Sequence, residues 1–212
     1  MMESIPVAVV GAGIIGRTHI DTLAQADGIH LCAMVDPAPA TAEIAKNHGV
    51  PFFEDIEALI GSGAAKGVIV ASPNNTHVAI ARRLLDAGLA VLLEKPVATT
   101  VAEGLELDMA VKAAAAPLLV GHHRRHNPVI KTAKKAISDG AIGELVTANV
   151  NVTLTKPATY FDVAWRKQPG QGGQALGLGH VPLELRLGGR GHRAAQRAGL
   201  DHPHHEPRVP RQ

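Results

Sequence analysis

Gly11-Ala12-Gly13-Ile14-Ile15-Gly16 stands between a β-prone apolar run, Ile5 to Val10, and a segment from Ile14 to Ala26 that can continue as a helix. Strand, tight turn and helix are therefore expected in direct succession. In such a turn the first glycine permits the sharp bend and the second lets backbone N–H groups approach a diphosphate at the positive end of the helix. The third allows helix and strand to pack closely. A second apolar run, Leu31 to Val35, ends at Asp36, twenty positions beyond Gly16. A carboxylate there can accept both hydroxyls of an adenosine ribose and would repel a 2′-phosphate, so the spacing favours NAD over NADP. Arg17 keeps NADP open, and a solvated loop carboxylate is the plainer reading of Asp36.

The alternation continues along the chain. Thr41 to His48 reads as a helix begun by a Thr cap. Gly67 to Ala71 reads as a strand, Thr76 to Ala87 as a helix, Ala90 to Leu93 as a strand, Val101 to Ala116 as a helix and Leu118 to Gly121 as a strand. Short, continuous apolar strands separated by helices indicate an α/β protein whose parallel sheet is covered on both faces. The pattern then changes. Val129 to Ser138 reads as a helix ending at Asp139-Gly140, and Leu145 to Lys156 as a longer strand with polar and apolar residues interleaved. A half-exposed strand belongs to a different sheet, so a boundary is expected between Gly121 and Pro128. The expected division is a nucleotide-binding domain over 1–121, the opening of an α+β domain with a mostly antiparallel sheet over 122–173, and a separate tail over 174–212.

Composition narrows the classes. Aromatic residues make up only 2% of the 212, so the core must be built from Ala, Val, Ile and Leu. No apolar run approaches the roughly 18 residues a membrane helix needs, and Glu3 stands where a signal peptide carries positive charge. With a single cysteine, Cys32, the reading is cytoplasmic, with no membrane partner. The first 173 residues carry a net charge of −1 and lack the basic stripe that nucleic-acid binding requires.

The last 39 residues, from Gln174, use only ten residue types: Leu, Pro, His, Gln, Arg, Val, Ala, Asp, Glu and Gly. These are the ones whose codons can begin with C or G. A folded protein has no reason to respect codon initials, whereas a GC-rich gene read out of frame produces this alphabet. The expectation is a frameshifted, non-native tail, with a low-complexity disordered linker as the alternative. Translating the other two frames past codon 173 tests it, since a prompt stop in both would exclude the shift. His202, His204 and His205 fall here among prolines with no cysteine partner, so no metal site is expected.

Ser72-Pro73-Asn74-Asn75-Thr76-His77 and Glu94-Lys95-Pro96 follow successive strands. Ligands of open α/β sheets bind outside the carboxyl ends of the strands, so these loops and the glycine turn should converge on one crevice. Oxidising an alcohol by hydride loss also requires a proton to leave the hydroxyl. An amine can take it where desolvation and a positive ring weaken its hold on its own proton. From spacing alone, however, a strand-end lysine is more often a surface charge, and a histidine such as His77 more often caps a loop.

Together these residues resemble the Gfo/Idh/MocA family, the glucose-fructose oxidoreductase and inositol dehydrogenase group. The resemblance runs from about residue 5 to 173. It rests on Gly11 to Gly16, Asp36, Ser72 to His77, Glu94-Lys95-Pro96, Gly121-His122-His123-Arg124-Arg125-His126-Asn127-Pro128 and Trp165-Arg166, in that order. It implies a doubly wound Rossmann domain followed by a domain with a large, mostly antiparallel sheet. The implied activity is reversible hydride transfer between a nicotinamide cofactor and a hydroxyl of a sugar, cyclitol or related diol. Lys95 then matches the catalytic lysine, with Glu94 and Pro96 framing the nicotinamide. Ala12, Ile14 and Ile15 join the glycines on the cofactor, as do Ser72, Pro73, Asn75 and His77. His123, Arg124 and Arg125 fall in the pocket-lining segment, although His122 and His126 stand where aromatics are usual. Homo-oligomers are implied for intact relatives.

One departure is expected to matter. Family members usually follow a segment like Trp165 to Gly173 with a helix bearing a histidine that completes the proton-transfer machinery, and this chain has no such motif. His180, two residues before Pro182, is a poor substitute. The expectation is an oxidoreductase by ancestry that binds NAD weakly or not at all and turns over little, because the sheet begun at Leu145 lacks partner strands. The alternative is a non-catalytic dinucleotide-binding remnant or interaction protein.

Overall fold

A computed structural model of the chain describes residues 4–144, 146–147 and 162. These fall into two compact units, 4–123 together with 162, and 124–144 together with 146–147. The expected strand over Leu145 to Lys156, the Trp165 segment and the tail from Gln174 lie outside the described residues.

The first unit is a six-stranded, wholly parallel sheet in the order β3-β2-β1-β4-β5-β6. The strands are β1 (Ile5–Val10), β2 (Ile29–Val35), β3 (Phe52–Phe53), β4 (Gly67–Val70), β5 (Ala90–Leu93) and β6 (Leu118–Val120). The helices are α1 (Ile14–Leu23), α2 (Ala42–Asn47), α3 (Ile56–Ser62), α4 (His77–Asp86) and α5 (Val101–Ala113). The expected α/β, doubly wound architecture is thus present. The strand order reverses between β1 and β4, where such sheets open a crevice at their carboxyl ends.

Side chains alternate across the strands and build two cores. Ala8, Val10, Ala33, Val35, Val68, Val70, Val91 and Leu93 pack with Leu59 of α3, Ala81, Leu84 and Leu85 of α4 and Leu107 of α5. On the opposite face Val9, Met34 and Ile69 pack with Ile20 and Leu23 of α1 and Ala45 of α2. Small and branched aliphatics fill both layers, as the scarcity of aromatics requires.

Three sequence expectations are corrected. Thr41 does not cap α2 with its side chain. A 3₁₀ turn, Pro39–Thr41, precedes the helix, and the Thr41 hydroxyl donates to the Ala38 carbonyl at 2.6 Å. The helix read as starting at Thr76 begins one residue later, behind a second 3₁₀ turn, Asn74–Thr76. Helical cover is also uneven: on the α1 face Leu119 is 65% exposed. There a groove of about 200 Å³ runs past Val7, Leu23, Ile69, Leu92 and Leu119.

In the second unit α6 (Pro128–Ser138) opens on Asn127, whose side-chain oxygen accepts from the Val129 N–H at 2.9 Å, with Pro128 at its first position. A 3₁₀ turn, His123–His126, spans the division between the units.

Candidate functional site: the carboxyl edge of the sheet

At the end of β1 the chain turns at Gly11 with φ +94°, a conformation L side chains rarely adopt. A Cβ at Gly11 would sit 2.7 Å from the Ala71 carbonyl oxygen, so the turn presses directly on the loop after β4. A Cβ at Gly16 would collide with the Gly11 carbonyl, which is the close helix-to-strand approach expected of the third glycine. At Gly13 a Cβ would meet nothing within 4 Å. Gly13 caps α1 without a side-chain hydrogen bond, and the first turn of that helix holds no acidic residue. The space in front of Gly13, where α1 begins, is thus open, and Ile14 beside it is 70% exposed. This is the cradle a dinucleotide diphosphate requires, and the residues present fit it.

Asp36, at the tip of β2, is tied to the same turn. Its Oδ2 accepts from the Ala12 N–H at 2.7 Å and its Oδ1 from the Ala38 N–H at 2.9 Å. Each carboxylate oxygen keeps a second lone pair for an incoming hydroxyl. Arg17 lies across the turn and donates through Nε to the Ala12 carbonyl at 3.0 Å.

The loops after β4 and β5 are joined by one buried ring. His77 is 1% exposed. Its Nδ1 lies 2.7 Å from the Pro96 carbonyl oxygen and its Nε2 3.0 Å from that of Ser72. A neutral imidazole donates to one of these acceptors and the cation to both. Ser72 and Thr76 share a hydroxyl contact at 2.8 Å, while Pro73 and Asn75 are exposed beside them. The Lys95–Pro96 peptide is cis.

Glu94 is only 9% exposed. Its Oε1 accepts from His19 Nε2 at 3.0 Å and its Oε2 from the Lys95 N–H at 3.2 Å. Burial pushes the Glu94 carboxyl up. The His19 hydrogen bond, the Lys95 N–H and the nearby charges of His19 and Lys95 outweigh it and hold the group below the ordinary carboxylate value. Gly121, just past β6, leaves room for that carboxylate, since a Cβ there would lie 2.7 Å from Oε1. Lys95 itself is exposed.

The strand ends of β1, β2, β4, β5 and β6 are therefore linked in one continuous set of contacts through Gly11, Ala12, Asp36, Ser72, His77, Glu94, Pro96 and Gly121, while Ile14, Ile15, Pro73 and Asn75 are exposed beside it. His123, Arg124 and Arg125 are exposed in the 3₁₀ turn that follows. Sequence reasoning passed over His19. Its signal was there, because Gly16, Ile20 and Leu23 are the buried face of α1 and His19 is the polar residue between them on that face. Among the described residues no group of three or more His, Cys, Asp or Glu could hold a metal ion.

Residues 5–122, more than half of the chain, match the family described as an oxidoreductase family with an NAD-binding Rossmann fold. The chain belongs to the Gfo/Idh/MocA family. Among curated members of that family it is 33% identical over 150 residues to inositol 2-dehydrogenase of Corynebacterium glutamicum (strain R), covering 69% of this chain and 44% of that one. It is 29% identical over 144 residues to the rhizopine catabolism protein MocA of Rhizobium meliloti, covering 68% and 45%. The chain thus spans less than half the length of these relatives. Among solved structures, the WlbA dehydrogenase from Bordetella pertussis in complex with NADH and UDP-GlcNAcA superposes with a TM-score of 0.73 at 31% identity, over 77% of this chain and 52% of that one. Scyllo-inositol dehydrogenase from Lactobacillus casei with bound NAD(H) and scyllo-inositol gives 0.65 at 26% identity, over 67% and 43%. Among the described residues no helix is long and apolar enough to cross a membrane.

Proposed function

We propose that this chain binds NAD along the carboxyl edge of its sheet. We further propose that it serves reversible hydride transfer to or from a hydroxyl of a sugar, cyclitol or related diol. The observation that carries the reading is the linked edge itself. An open diphosphate cradle at Gly13, a ribose-facing carboxylate at Asp36 and the exposed amine of Lys95 are tied together through Ala12, Ser72, His77 and Glu94. Relatives named as inositol dehydrogenases, and a structure described with NAD(H) and scyllo-inositol, support the substrate class.

In this reading the first-turn N–H groups of α1 hold the diphosphate and Asp36 accepts the ribose hydroxyls. A 2′-phosphate would bring like charge onto Asp36, so NAD is preferred to NADP. When bound, the nicotinamide accepts or returns the hydride. Lys95 Nζ takes the proton that leaves the hydroxyl, and returns it in the reverse direction. Glu94 and the loop from Ser72 to His77 hold that edge in shape. His123, Arg124 and Arg125 are proposed as substrate contacts on the family resemblance, as are homo-oligomeric assembly and a cytoplasmic setting.

The test is calorimetric titration of the whole chain with NAD and NADP, run beside a turnover assay on myo-inositol and related polyols. Weak, saturable binding that favours NAD, with a low turnover that is lost in Lys95→Met while binding is kept, is the expected result. Binding without turnover in the unsubstituted chain would leave a dinucleotide-binding module. No binding of either dinucleotide would overturn the reading.

A further inference from the structure

His19 and Glu94 stand 75 positions apart in the chain, yet their side chains meet at 3.0 Å. Both are largely buried, with side-chain exposures of 21% and 12%. The contact joins α1, which opens on the Gly13 cradle, to the strand end that carries Lys95. A carboxylate accepts and never donates, so the hydrogen in this contact belongs to His19 Nε2. The other carboxylate oxygen is held by the Lys95 N–H, and on a third side Gly121 leaves just enough room, since a Cβ there would lie 2.7 Å from Oε1.

We infer that His19 is a positioning residue: through Glu94 it fixes the Lys95 segment against α1, so that the dinucleotide cradle and the lysine move as one body. The inference rests on the proposed role of Lys95. It goes beyond that role in assigning a task to a residue on the opposite side of the crevice. Without the His19 donor the Glu94 side chain is released on that side and, among the described residues, stays hydrogen-bonded to the Lys95 N–H alone. It can then turn onto the Lys95 side chain and hold Nζ in a charge-assisted hydrogen bond, which covers the amine against an incoming reagent.

The experiment measures trace acetylation of Lys95 against Lys66, an exposed lysine away from the site, by mass spectrometry of the whole chain without dinucleotide. NAD affinity is measured in parallel. His19→Leu removes the donor, and His19→Gln keeps an N–H of similar reach. The expected result is slower labelling of Lys95 and NAD affinity weakened about tenfold in His19→Leu, the scale of one charge-assisted hydrogen bond. Both should return toward the unsubstituted values in His19→Gln, a rescue that mere filling of space would not produce. If His19→Leu fails to fold, Gly121→Ala displaces the same carboxylate from the other side and should slow Lys95 labelling in the same way. Labelling at the unsubstituted rate in a folded His19→Leu or Gly121→Ala chain would overturn the inference. If the unsubstituted chain binds no NAD, the proposed function fails, and the labelling comparison still decides the role of His19.

Discussion

The three glycines of the first turn do different work, and substitution separates them. Gly16 meets the Gly11 carbonyl with no room for a Cβ, so Gly16→Ala should lower stability by about 1–3 kcal/mol, the usual range for overpacking, read as a loss in urea midpoint. Gly13 has an ordinary φ of −70° and open space in front of it. Gly13→Ala should therefore cost no more than the poorer helix cap, about 1 kcal/mol, while weakening NAD binding, and an unchanged affinity would count against the cradle. Glu94 gives a signature in acid. Its carboxyl is held below the ordinary value of 4.5, so its contribution to stability is fully present above that pH and is lost as pH falls through the lowered folded value. The difference in Tm between the unsubstituted chain and Glu94→Gln should be present at about pH 4.5 and shrink as the pH falls further. A difference that went on growing below that pH would contradict a carboxyl held low by its partners.

At the scale of elements, local signals were good guides to the type of structure and poorer guides to its ends. α5 starts where the sequence reading put it because Thr100 and Glu103 form a reciprocal cap. The Thr100 hydroxyl oxygen accepts from the Glu103 N–H, and the Glu103 carboxylate accepts from the N–H groups of Thr99 and Thr100. Thr100→Ala should cost about 1 kcal/mol, seen as a drop in Tm with the fold retained by circular dichroism. Thr41 carries the same chemistry but, after Pro39, the chain enters a 3₁₀ turn and the hydroxyl bonds backward to Ala38, leaving α2 uncapped by it. A residue's cap propensity is legible in sequence. Which neighbouring carbonyl or N–H it reaches depends on the path of the preceding loop.

Among the described strands β6 stands at one edge of the sheet, and Leu119 projects from it into the open groove on the α1 face. Exposed edges with apolar residues invite self-association. Leu119→Glu should reduce light scattering of concentrated solutions with little change in Tm, whereas a large loss of Tm would mean that the groove is filled in solution. The same uneven cover explains why the sequence could suggest helices on both faces without revealing which part of one face the described helices leave open, since periodicity reports which side chains are apolar and not what lies opposite them. Sequence by itself determined the α/β alternation, the glycine turn, Asp36 at its distance and the loops carrying Ser72, His77, Glu94 and Lys95, because each depends on residues near one another in the chain. Only the tertiary structure decided that His77 turns inward to hold two loops and that His19 reaches Glu94 across 75 positions. Parallel strand order brings such residues together, and hydrogen bonds between buried groups form wherever that order leaves donor facing acceptor.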